Sequence, residues 1–227
     1  MCNRFTAYTI RCSKPQSSYS ISIYACANIK LAKDPDRDDE SKQFVQNMII
    51  LFNKPFNVLS QFTDKSNYSE ERKTLAHFIN IKQVYSAGRL DLDSEGLVIL
   101  TDDGRLQSKI SSPKFKIEKT YLVQVEGIPK EKDLHDLRKG LELKDGLTKP
   151  AKARTIEEPK WLWKRNPPIR MRKSIPNSWI ELKIREGKNR QVRRMTANIG
   201  FPTLRLIRTS IGEWNLGELK PGDFKVL

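Results

Sequence analysis

Three carboxylates, an arginine and a serine lie between two glycines in Ser86-Ala87-Gly88-Arg89-Leu90-Asp91-Leu92-Asp93-Ser94-Glu95-Gly96, and an apolar run follows at once. Loops held by rigid strands are where chemically active groups tend to sit. A guanidinium such as Arg89 near a carboxylate favours the ionised form that a nucleophile needs. A polar turn whose acids are merely solvated is the plainer reading of the same residues.

A second stretch, Glu186-Gly187-Lys188-Asn189-Arg190-Gln191-Val192-Arg193-Arg194-Met195-Thr196-Ala197-Asn198-Ile199-Gly200, has helical spacing. Asn189 suits an N-cap, and Gly200 with Pro202 suits a stop. At about 100° per residue, Arg190, Arg193 and Arg194 gather on one side, opposite Val192, Met195, Thr196 and Ile199. Such a fan suits phosphate capture, or an ion pair with a carboxylate brought from elsewhere; a solvated basic face is the bland alternative. Tyr121 shares one side of a strand with Val123 and Val125, where a tyrosine is usually a core or boundary residue. Trp161, Trp163 and Pro167-Pro168 lie among Lys160, Lys164, Arg165, Arg170, Arg172 and Lys173. They suit a stacking surface for bases and, equally, the hydrophobic anchor of a long loop.

Forty-two Lys and Arg against twenty-seven Asp and Glu give a net charge of +15. The surplus is concentrated in the C-terminal half, which favours a polyanionic partner. No stretch approaches the roughly 18 apolar residues of a membrane span, so no membrane partner is expected. Cys2, Cys12 and Cys26 all precede residue 30, and His77 and His135 lie in amphipathic stretches without a ligand pattern. No disulfide framework and no metal site is indicated.

The elements that must position these groups are legible in part. Strands are expected at Met48 to Phe52, Gly96 to Thr101, Lys119 to Val125, Trp179 to Arg185, Leu204 to Arg208 and Asp223 to Leu227. Helices are expected at Arg72 to Ile79 and at Lys130 to Lys139, the latter ended by Gly140, with a turn at Asp103-Gly104. Helices and strands mix without βαβ alternation, so an α+β fold with a largely antiparallel sheet follows. Residues 1–47, Ser-rich with no acid before Asp34, read as a disordered extension and linker ahead of a folded domain over 48–227.

Taken together, these segments resemble the RsuA/RluA family of pseudouridine synthases. Gly88-Arg89-Leu90-Asp91-x-Asp93-Ser94-Glu95-Gly96-Leu97 is similar to the family's aspartate motif, Lys119-Thr120-Tyr121-Leu122-Val123 to its tyrosine motif, and Glu186 to Met195 to its third motif. Asn53-Lys54-Pro55 matches its opening strand. The Arg-Gln-Val-Arg-Arg-Met form points to the RsuA branch, whose members usually carry an N-terminal S4-like RNA-binding domain; residues 1–47 are too short and polar to be one.

The resemblance implies the pseudouridine synthase fold, a mixed sheet flanked by helices with the active-site cleft across it. It further implies isomerisation of a uridine with Asp91 as catalytic carboxylate, Tyr121 in the site and Arg193 opposite the aspartate. Arg89, Lys188, Arg190, Arg194, Lys164, Arg165, Arg170, Arg172 and Lys173 are then the candidate RNA contacts. The implied partner is 23S ribosomal RNA or a large-subunit precursor, handled by a monomer in the cytoplasm without cofactor or metal. Two rival classes are a catalytically silent RNA-binding or ribosome-assembly protein of the same fold, and a hydrolase using Asp91 and Asp93 on one face of an extended segment.

Overall fold

The structure, a computed structural model, describes residues 47–64, 66, 72–170, 172 and 174–227. The expected extension over 1–47 therefore lies, Asn47 apart, outside the described residues.

In chain order the elements are β1 (Ile49–Lys54), β2 (Tyr85–Ser86), β3 (Glu95–Thr101), α1 (Gly104–Ser111), β4 (Lys119–Glu126), α2 (Glu131–Lys139), β5 (Glu142–Leu143), β6 (Gly146–Leu147), β7 (Lys152–Ile156), β8 (Asn177–Ile184), α3 (Gln191–Asn198), β9 (Thr203–Ile211), β10 (Trp214–Asn215) and β11 (Phe224–Val226). The main sheet runs β11-β1-β3-β9-β4-β8-β7, with β2 added to β3 and β10 to β9. Only β3 and β9 pair in parallel among the described strands. The fold is α+β with a mixed, largely antiparallel sheet.

The apolar run at Leu97 to Leu100 is continuous because β3 is covered on both faces. Val98 and Leu100 enter the main core with Ile50, Phe52, Val123 and Ile180. Leu97 and Ile99 face a second cluster with Leu51, Ile110 and Ile211. In β8 the alternation holds as expected: Ile180, Leu182 and Ile184 are buried, while Glu181 and Lys183 are only partly so.

Three segments differ from expectation. Asp103 does more than mark a turn: its side chain accepts from Arg105 N at 2.7 Å and caps α1, a helix whose polar face hides it, since only Ile110 is buried. The segment 72–79 forms only a short 3-10 turn, Leu75–His77, because Lys73 is drawn into a parallel bridge with Val58. Helix α3 begins at Gln191, not after an Asn189 cap; Arg190 precedes it in the left-handed region, φ 47°.

The junction between β3 and β9 controls the sheet. Glu95 and Gly96 pair with Ile207 and Arg208. A Cβ on Gly96 would stand 2.2 Å from the Arg208 carbonyl oxygen, and its φ of 103° is one that only glycine adopts without strain. Beside it, Arg205 forks onto Glu95, Nε to Oε1 and Nη2 to Oε2 both at 2.8 Å. The two residues are 4 % and 2 % exposed. Strand β2 occupies the other end of the same β3 edge, through Tyr85 opposite Thr101 and Ser86 opposite Leu100. Between them, the Leu97 carbonyl accepts from Arg208 Nε at 2.8 Å and the Ile99 carbonyl from Ala87 N at 2.7 Å.

Gly96→Ala is expected to destabilise the protein by roughly 3 kcal/mol or more, because a methyl must displace backbone and a positive φ is lost. Urea unfolding measures this, and an unchanged midpoint would remove the junction as a constraint.

Candidate active site

Asp91 opens a tight turn closed by Ser94 N to the Asp91 carbonyl at 3.1 Å. Ser60 Oγ accepts from Leu90 N at 3.0 Å and donates to the Leu90 carbonyl at 2.8 Å, and Asn57 N bonds the Leu92 carbonyl at 2.9 Å. The buried Leu90 side chain pins the turn to the core. Because residues 91–94 form a turn, Asp91 and Asp93 do not share the face of an extended segment, which removes the geometric premise of the paired-carboxylate hydrolase. Among the described residues no three His, Cys, Asp or Glu side chains come together in a group that could hold a metal ion.

The arginines of the third motif meet this turn, in a different distribution from the one expected. Arg190 reaches both acids: Nη1 stands 3.5 Å from Asp91 Oδ2, and Nη2 stands 2.8 Å from Asp93 Oδ2. Arg193 instead bonds the Asp93 carbonyl from Nη2 at 2.7 Å and stands 3.4 Å from the Asp93 carboxylate. The reason lies in the loop before α3. Gln191 donates to the buried Glu186 and accepts from Lys188 N at 3.0 Å, which folds the loop back and turns Arg190 over the aspartates. Burial works to raise the Asp93 pKa, but the Arg190 hydrogen bonds and the Arg193 and Arg190 charges outweigh it and hold it below the usual carboxylate value. Burial lowers the Arg193 pKa against the opposing pull of Asp93.

Tyr121, 7 % exposed, lies on β4 opposite Leu182 of β8 and Arg208 of β9. Tyr121 and Asp91 line one cleft of about 530 Å³, floored by the sheet and walled by the aspartate turn and the loop at 187–192. Beneath the turn, the wholly buried Lys54 donates to the Pro55 and Val58 carbonyls at 2.9 and 2.8 Å. Burial pushes its ammonium down to about 7, against the pull of Glu95, Asp93 and Asp91.

The candidate RNA contacts divide sharply. Arg89 is exposed and lines the cleft. Lys164 and Arg170 are exposed, and Arg172 stands 3.6 Å from Glu126. Lys173 lies outside the described residues. Arg194 is committed to Asp145 at 2.6 and 2.9 Å, and Lys188 Nζ to the Asp145, Gly146 and Leu147 carbonyls. Arg165 bonds the Pro167 and Pro168 carbonyls and lies 4.2 Å over the Phe56 ring. The two tryptophans split between the alternatives: Trp161 is 56 % exposed, while Trp163 is a loop anchor whose Nε1 donates to Glu95 at 2.7 Å. Lys119 and Arg208 also line the cleft and were not singled out from the sequence; two arginines three apart in one strand, Arg205 and Arg208, are the signal that could have drawn attention to Arg208.

A model of the RNA pseudouridylate synthase family matches residues 48–198. The chain belongs to this family. It is 56 % identical to the ribosomal large subunit pseudouridine synthase E of Vibrio vulnificus over 193 residues, 85 % of this chain and 80 % of that one. It is 53 % identical to the enzyme of the same name from Xanthomonas campestris over 179 residues, 79 % of this chain and 95 % of that one. The ribosomal large subunit pseudouridine synthase B of Bacillus subtilis is 38 % identical over 78 % of this chain and 66 % of its own. A pseudouridylate synthase crystal structure superposes with a TM-score of 0.66 at 31 % identity, covering 80 % of this chain and 70 % of the other.

The cleft holds one carboxylate, Asp91, one aromatic ring, Tyr121, and a volume that would admit a nucleotide. Within this cleft Arg190 is the cation set against the carboxylate pair. Arg190→Ala is expected to lower kcat by about tenfold to a hundredfold through misplaced carboxylates, whereas Arg194→Ala, whose partly exposed pair with Asp145 involves neither aspartate of the turn, leaves kcat within about twofold. Single-turnover pseudouridine formation distinguishes them, and equal losses would contradict this division.

Lys54 generates a prediction of defined sign. Its pKa is about 7 in the folded chain against 10.5 ordinarily, so between those values the unfolded chain binds more protons and stability rises with pH. Below about pH 7 the side chain is charged in both states and contributes no slope. The Tm of wild type should therefore rise relative to that of Lys54→Met from pH 7 to pH 10; a constant difference would show that Lys54 is not depressed.

Proposed function

We propose that this chain isomerises a specific uridine of large-subunit (23S) ribosomal RNA to pseudouridine, with Asp91 as the essential carboxylate. The observation that carries the reading is the convergence of Asp91 and Tyr121, from separate motifs, on one cleft rich in cations. The names of relatives more than half identical over most of this chain support large-subunit RNA as the substrate. The catalytic unit is residues 48–227, acting as a monomer where the ribosomal RNA is, in the cytoplasm of a bacterial cell.

The reaction breaks the bond between ribose C1′ and uracil N1, rotates the base, joins C1′ to C5, and moves a proton from C5 to N1. It is redox-neutral and consumes no co-substrate. A target inside folded RNA must first leave its stack, at a cost of about a few kcal/mol. Arg89 lining the cleft, together with the exposed Lys164 and Arg170 and with Arg172, supplies phosphate contacts that offset this cost. Asp91 then acts at the sugar or the base, while Tyr121 packs against the flipped uracil and assists proton removal at C5. Arg190 orients the Asp91 carboxylate, and Arg193 fixes the turn that carries it.

Incubation of wild type and Asp91→Ala with unmodified 23S ribosomal RNA, mapped by carbodiimide-dependent primer extension, tests the reading. One new stop with wild type and none with the variant is expected. No stop with either protein, on free RNA or on the unmodified subunit, would favour the catalytically silent RNA-binding protein; a stop with both would remove Asp91 from the chemistry.

A further inference from the structure

Five basic side chains line the cleft, Arg89, Lys119, Lys188, Arg190 and Arg208, against a single acid, Asp91. The roles described so far use Arg190 on the carboxylates, Lys188 on backbone carbonyls and Arg89 on phosphate. Lys119 and Arg208 remain, and they have no carboxylate partner among the described residues. Arg208 is 3 % exposed; its Nε bonds the Leu97 carbonyl, and its Nη2 has no hydrogen-bond partner. Lys119 Nζ reaches only the Ile117 carbonyl, at 3.3 Å.

A guanidinium so buried without an acid is costly unless something neutralises it in the working state. The same chain matches Glu95 to Arg205 on the same strand, so an unmatched Arg208 is not a general feature of β9. Burial and the neighbouring Arg208 charge both lower the Lys119 pKa, so the two cations sense one another. The ladder explains their nearness: Tyr121 is opposite Arg208, and Lys119 lies two residues before Tyr121, on the same side of β4. Both cations thus neighbour the tyrosine on the sheet and line the cleft with it.

We propose that Lys119 and Arg208 form a phosphate subsite inside the cleft, which grips a phosphodiester attached to the target nucleotide once that nucleotide has flipped in. The inference rests on the synthase reading for the identity of the nucleotide, and on the unmatched cations for the subsite itself. A uracil carbonyl is neutral and needs one donor, whereas two adjacent cations without an acid fit an anion. The grip holds the sugar–phosphate while the base is free, so the ribose stays over Asp91 as the uracil turns.

The test needs no turnover. Wild type, Lys119→Met and Arg208→Lys are titrated calorimetrically with uridine and with uridine 3′,5′-bisphosphate, a target nucleotide carrying both its phosphates. Wild type is expected to bind the bisphosphate at least tenfold more tightly than uridine, and Lys119→Met to shrink that ratio to threefold or less. Arg208→Lys keeps a charge with fewer donors and falls between them. Should Arg208→Lys fail to fold, the partly exposed Lys119 carries the test alone. Equal binding of the two ligands by wild type, or an unchanged ratio in Lys119→Met, overturns the subsite; so does loss of uridine binding with the ratio intact, which would assign Lys119 to the base. A chain that binds the bisphosphate through Lys119 yet converts no uridine in ribosomal RNA would sink the synthase reading and leave the subsite standing.

Discussion

The bidentate pair of Glu95 and Arg205 is the interaction on which the rest of this molecule depends. Both groups are almost wholly removed from water, so each is tolerable only in the presence of the other. Glu95 begins the strand that leaves the aspartate turn, and Arg205 lies on the strand that neighbours Tyr121's strand. Fixing one against the other fixes β3 against β9, and the β9–β4 ladder then fixes Tyr121. Strand neighbours lie about 4.8 Å apart, so the distance from the carboxylate turn to the tyrosine is set by the sheet itself.

The same pair organises the basic loop after β7. Trp163 donates its indole N–H to Glu95, and Arg205 returns a hydrogen bond to the Trp163 carbonyl at 3.0 Å. Arg165 follows and lies over Phe56 beside the aspartate turn. A loop rich in positive charge is thereby held against the Glu95–Arg205 pair by Trp163, leaving the Trp161 ring exposed.

Much of this was legible in the sequence, and the failures have physical causes. β3 and β8 declare themselves, the first as an unbroken apolar run and the second by alternation, because burial on two faces or one leaves those patterns directly. α1 does not, since Ile110 alone of its residues is buried and the helix is specified by the Asp103 cap. The aspartate turn and the arginine cluster are recognisable by type and order. Which arginine meets which acid is not: Arg190 and Asp93 are 97 residues apart, and their meeting depends on the left-handed backbone at Arg190. Nor does sequence separate cations committed within the protein, such as Arg194 on Asp145, from those facing the cleft, such as Arg208.

The parallel junction is also one of the shortest ladders of the sheet. Only Glu95 and Gly96 pair across it, whereas β4 and β8 pair along their whole length. The line along which backbone pairing is so short therefore runs through the candidate reaction centre, and the Glu95–Arg205 pair is what closes it. A chain opened along that line keeps neither half of the centre in place, so a partly unravelled copy is silent rather than indiscriminate toward the uridines it meets.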